Sequence, residues 1–178
     1  MIRNAIALPA FALLVSVSGT SARATTARLA THEELVKLAQ VVVVGAAESR
    51  DSFWREGRIY TRYIVRVQEA LKTKTPLPRL EDTTIEILTL GGVIGTIGQS
   101  VAGAARLLEG QRSVLYLIED AQGAYHPVGM WQGVIFVSNE GDLERPNVQA
   151  GIVGPRVPPF PQHLSDLRRA IVENLDDQ

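Results

Sequence analysis

The chain of 178 residues contains no cysteine. That absence excludes a disulfide framework and a lipid attached through cysteine, so the fold must be held by packing alone. Charge of either sign is equally scarce in excess, with 18 Lys and Arg against 19 Asp and Glu. Such a balance offers no basic patch to displace counterions from phosphate and no polybasic run for a membrane surface, which argues against a nucleic-acid or membrane-surface partner. A membrane-length apolar segment is missing too. The longest apolar stretch, residues 5–17, has 13 residues with Pro9 inside it, short of the ~20 a spanning helix needs. There is no internal repeat and no low-complexity segment.

What the chain does have begins with those same residues. Met1-Ile2-Arg3-Asn4 is a short basic start, residues 5–17 an apolar centre, and Ser21-Ala22-Arg23-Ala24 presents small residues where a signal peptidase reads. The pattern predicts an export signal over residues 1–24, a mature chain starting at Thr25, and a periplasmic or extracellular location with no membrane span after cleavage. Arg3 and Arg23 leave with the signal, taking the formal net charge from −1 to −3.

Thr31-His32-Glu33-Glu34 has the form of a capping box and predicts a helix over residues 32–39. Val41-Val42-Val43-Val44 is β-branched throughout and suits a strand buried on both faces. Residues 58–72 alternate: Ile59, Thr61, Tyr63, Val65, Val67 and Leu71 on one face, Arg58, Arg62, Arg66, Gln68 and Lys72 on the other. The turn Arg55-Glu56-Gly57 pairs these two segments as a hairpin. A proline loop after residue 72, then strands at residues 83–90, 112–119, 125–130 and 134–137 complete the set. The expected fold is mainly β: a small antiparallel OB-like barrel of five to six strands over residues 25–138, a Pro/Gly-rich linker over 139–161, and an amphipathic C-terminal helix over 162–178, where Leu164, Leu167, Ile171 and Leu175 recur at helical spacing.

Chemistry-bearing motifs are thin. Residues 91–103 hold five glycines, but no Lys and no capped helix follow them, so a phosphate-binding loop is disfavoured. Two readings remain: glycines that bend a strand or admit a close backbone, or a loop that faces a partner. Gly92, Gly98, Gln99, Arg106 and Trp131 form the candidate partner-facing rim. His32, His126 and His163 are scattered and predict surface positions, with no metal site in one element. Ser100 lacks the second glycine of a nucleophile elbow. No catalytic residue, metal or cofactor is assigned. Trp131 reads more readily as a core plug with one polar handle than as a ligand platform.

Val41 to Val44 with Gly45, Ser52-Phe53-Trp54, Tyr60-Thr61, Val65 and Val67 ending in Leu71-Lys72, then Gly91-Gly92, Gly98-Gln99, Val101 with Gly103, Gly110, Val114-Leu115-Tyr116-Leu117 and Gln132-Gly133 together resemble a family of exported bacterial proteins of unassigned function. The resemblance covers residues 31–138. It implies a closed barrel of the oligonucleotide/oligosaccharide-binding type, distantly similar to the netrin-like modules that include tissue inhibitors of metalloproteases. Those inhibitors chelate zinc through an N-terminal cysteine, which this chain lacks, so their activity is not carried over. The expectation is an exported non-enzymatic binding or accessory domain whose partner is a protein or glycan of the cell envelope. Its rivals are an envelope hydrolase, needing an acid such as Glu119 beside His126, and an inhibitor or partner module of an envelope protease.

Overall fold

The structure, a computed structural model, describes residues 28–73, 82–144 and 160–176. The expected signal, most of the proline loop after residue 72 and most of the expected linker lie outside the described residues. The chain is mainly β, with two helices and a multi-stranded sheet. Among the described residues no helix is long and apolar enough to cross a membrane.

Helix α1 (His32–Leu38) starts at the capping box: Thr31 Oγ1 accepts from the Glu34 N–H at 3.1 Å, and Glu34 Oε2 accepts from the Thr31 N–H at 2.9 Å. Strands β1 (Val41–Arg55) and β2 (Arg58–Lys72) form the expected hairpin about Glu56 and Gly57. They are followed by β3 (Thr84–Leu90), β4 (Gly92–Ile94), β5 (Ile97–Gln99), β6 (Arg112–Glu119), β7 (Tyr125–Pro127), a 3-10 turn (Met130–Gly133), β8 (Val134–Val137), β9 (Leu143–Glu144) and helix α2 (Leu164–Asp176).

The pairing differs from an all-antiparallel meander. β1 is hydrogen-bonded along both edges, to β2 and to β6. β2 pairs with β3, β6 pairs with β7 and β8, and β7 meets β3 in parallel at Tyr125 and Ile87. The parallel contact exists because residues 91–111 carry the chain from β3 to the far edge of β1 before β6 begins. A connection of that length frees β6 from pairing with the strand before it. β4 and β5 form a separate small hairpin that the glycine pattern concealed. The sheet also runs past residue 138: β9 turns back onto β8, inside the region expected to be linker.

Apolar side chains fall into two layers on the two faces of the strands. Val41, Val43, Tyr63, Val65, Val67, Ile87, Leu115, Leu117 and Val134 gather on one face. Val42, Val44, Val114, Tyr116, Ile135 and Val137 gather on the other, with Leu35 and Val36 of α1 and Leu164, Leu167 and Ile171 of α2. The unbroken valine run in β1 thus feeds both layers, as a doubly covered strand requires. α2 is part of the core and not merely tethered to it: the Leu143 N–H donates to Gln162 O at 2.7 Å, and Arg168 grips the Glu69 carboxylate through Nε at 2.8 Å and through NH2. Leu175 is the member of its expected apolar stripe that stays exposed.

Leu71 corrects one face assignment. The register of β1 against β2 skips a residue between Val67 and Glu69 and again between Ala70 and Lys72. Each extra residue reverses which side the following chains take. Ala70 therefore joins Val67, and Leu71 crosses to the helix layer.

Candidate binding cleft

Opposite the glycine-rich segment, the inner face of β1, β2 and β3 opens into a cleft of about 620 Å3. The 91–106 segment forms its other wall. Gly91 anchors that segment, its N–H donating to Ile59 O at 2.8 Å, while Gln99 Oε1 accepts from the Ile59 N–H at 2.7 Å. One β2 residue, Ile59, is thus held through its N–H and its C=O by the two ends of the β4–β5 hairpin. At Gly92 the backbone lies so close to the strands that a Cβ would meet Ser52 Oγ, and Thr61 Oγ1 at 2.6 Å, with φ at +147°. Only glycine fits such an approach. Gly98 is different, since a Cβ there would meet nothing nearer than a Val93 methyl at 3.7 Å, so its expected geometric role is not seen.

The polar groups of the cleft are ordered by their protons. Thr61 Oγ1 donates to Gly91 O at 2.7 Å, which uses its single hydrogen. The 3.2 Å contact between Ser52 Oγ and Thr61 Oγ1 therefore has Ser52 as donor. Ser52 in turn accepts from the Val93 N–H at 3.4 Å. Its proton is directed into the wall and no histidine lines the cleft, so this hydroxyl has no base to activate it. Of the charged lining residues, Asp51 takes two hydrogen bonds from Arg62, both 2.9 Å, and Arg50 lies 3.3 Å from Glu109. Arg106, on the exposed rim, has no ion-pair partner among the described residues.

Four of the five candidate rim residues, Gly92, Gly98, Gln99 and Arg106, line this cleft. Trp131 does not. It is buried in the 3-10 turn, where its backbone N–H donates to Gly103 O at 3.1 Å, in keeping with the core-plug reading. Sequence reasoning missed Ser52, Thr61, Tyr63 and Thr89. The signal that could have found them is the alternation of β2, which puts the polar Thr61 and Tyr63 among inward positions.

Each histidine has an acid or aromatic neighbour. His126 Nε2 lies 2.9 Å from Asp120 Oδ2, so its partner is Asp120 and not Glu119. That hydrogen bond, aided by the Ala124 and Gln122 N–H groups, holds the Asp120 carboxyl below its ordinary range. His163 Nδ1 lies 2.7 Å from Asp142. His32 is buried, contrary to the surface expectation, because its ring faces into the helix layer. Nδ1 sits 3.0 Å from the Tyr116 hydroxyl, and the rings of Tyr116 and Phe160 meet it edge-on. Its Nε2 is buried without a hydrogen-bond partner among the described residues, and burial pushes its pKa down to about 4. Among the described residues no three of His, Asp and Glu gather as metal ligands.

No known family model and no curated protein matches this chain.

Proposed function

We propose that the chain is an exported, non-enzymatic binding domain built on an OB-type barrel, with the cleft between β1–β3 and residues 91–106 as its binding site. Support for the barrel is the ring of pairings β1, β2, β3, β7, β6 and back to β1, with its parallel β3–β7 contact. The observation that carries the binding reading is the cleft itself: about 620 Å3, walled by a segment whose glycine admits a close approach, and containing hydroxyls without a base. Its volume falls within the ~300–1,000 Å3 usual for small-molecule sites.

The hydrolase reading draws on the His126–Asp120 pair. That pair lines no part of the cleft, and Asp120 is occupied by the turn N–H groups and lies 3.8 Å from Arg55. An acid so engaged orients a turn more readily than it shuttles protons. The protease-inhibitor alternative has no such observation behind it.

Capture from envelope extract tests the reading. The wild-type chain should retain a species that Ala104→Trp, which fills the cleft, releases at unchanged melting temperature. Equal retention by both chains would place binding elsewhere.

A further inference from the structure

Tyr63 and Thr89 both line the cleft, and they are only 3% and 6% exposed. Among the described residues neither hydroxyl has a hydrogen-bond partner, and neither is sealed from solvent as the buried unpaired nitrogens of His32 and Arg112 are. The two hydroxyls therefore reach the water of the cleft. An unpaired polar group so nearly buried is costly unless something satisfies it. Charge adds a second, independent observation. Glu109 faces Arg50 and Arg62 faces Asp51, which leaves Arg106 as the uncompensated charge among the cleft residues.

We infer that the cleft takes a hydroxylated carboxylate of the sugar-acid class, with the carboxylate on Arg106 and ligand hydroxyls on Tyr63 and Thr89. This inference rests on the reading of the cleft as the binding site and names its ligand class. A lone guanidinium matches one carboxylate through two parallel N–H to oxygen bonds, whereas a doubly charged phosphate would be left half neutralised. Tyr63 and Thr89 each donate and accept, and a ligand hydroxyl can do both in return. An amine is excluded as the principal group by the sign of Arg106.

Calorimetric titration of the purified chain with D-glucuronate, D-glucose, acetate and inorganic phosphate tests the class. Glucuronate should bind at least about tenfold more tightly than the other three. Arg106→Gln should bring glucuronate down to the level of glucose. Thr89→Val and Tyr63→Phe should each weaken glucuronate severalfold while the melting temperature holds. Glucose or phosphate binding as tightly as glucuronate, no binding of any probe, or glucuronate binding indifferent to Arg106→Gln would overturn the ligand class. None of these touches the cleft reading, which stands or falls on the Ala104→Trp capture experiment.

Discussion

The helix-covered face and the cleft face are made from the same strands, yet they treat polar groups in opposite ways. Under α1 and α2 the layer is dry: Leu35, Val36, Tyr116, Leu167 and Ile171 are fully buried, and Lys72 reaches in only to donate to Val36 O at 2.7 Å. At the cleft, Tyr63 and Thr89 are nearly as buried but end in hydroxyls unpaired among the described residues, and an uncompensated arginine, Arg106, lines the same cleft. Among the described residues the first face has closed its hydrogen bonds internally, apart from His32 Nε2 and Arg112 Nε; the second leaves the hydroxyls of Tyr63 and Thr89 for a visitor. Stability should therefore be concentrated on one side and recognition on the other.

The largest expected effect tests whether α2 belongs to the stabilising side. Leu167→Ala removes a fully buried side chain between helix and sheet and should cost ~2–5 kcal/mol of unfolding free energy, because the cavity left behind adds to the lost transfer term. Urea denaturation reads this directly. A change below ~0.5 kcal/mol would mean that the helix is an appendage and that the two faces do not differ in this way.

Acid should reveal the weak point of the dry layer. The folded pKa of His32, about 4, lies below its ordinary 6.5 because burial disfavours the charged ring. The unfolded chain thus binds this proton more tightly. Stability from the neutral ring is complete above pH 6.5, falls as pH drops from 6.5 to about 4, and changes no further from this group below that. The full loss is on the order of 3 kcal/mol. In His32→Gln, stability measured across that window should lose this slope, whereas an unchanged slope would assign acid sensitivity to other groups.

Much of the dry side was legible in the sequence, since capping, β-branching and alternation act locally. Thr31 and Glu34 carry their own partners within one turn, and Val41 to Val44 can only be a strand covered twice. The parallel β3–β7 contact was not legible, because it depends on where a long connection delivers β6 and no local pattern encodes that. Leu71 was misassigned for a related reason: a bulge reverses the faces without altering the residue alternation. His32 looked like a surface cap residue because the burial comes from Tyr116 and Phe160, both distant in sequence. At the cleft the glycine cluster pointed to the segment that forms one wall but could not tell Gly92, pressed against Ser52 and Thr61, from Gly98, where a Cβ would meet only a Val93 methyl at 3.7 Å.

That contrast between two glycines sets the next effect. Gly92→Val should destabilise by ~1 kcal/mol or more, since the side chain collides with hydrogen-bonded hydroxyls in a backbone region closed to β-branched residues. Gly98→Val should stay within ~0.5 kcal/mol. Melting curves of the pair decide it; equal losses would mean that the segment tolerates no side chain anywhere and is a structural corner throughout. Gln99→Ala belongs between them. Its carboxamide satisfies the Ile59 N–H at 2.7 Å, so truncation should cost ~1 kcal/mol, the usual penalty for stranding a partly buried donor. Any binding lost with Gln99 is therefore mixed with a loss of structure.

Arg106→Ala should have the smallest effect on stability and the clearest on recognition. The guanidinium sits exposed on the rim and bonds to nothing among the described residues, so unfolding free energy should move by less than ~0.5 kcal/mol. An arginine with no structural partner, beside a cleft whose other charges are already paired, has its charge available to a ligand. Retention of the envelope species should fall while the melting curve holds. A variant that melts early would reveal a packing role for the stem of the side chain. A variant that melts normally and still captures its species would leave the cleft without an electrostatic handle, and the separation between the two faces would then rest on the hydroxyls of Tyr63 and Thr89 alone.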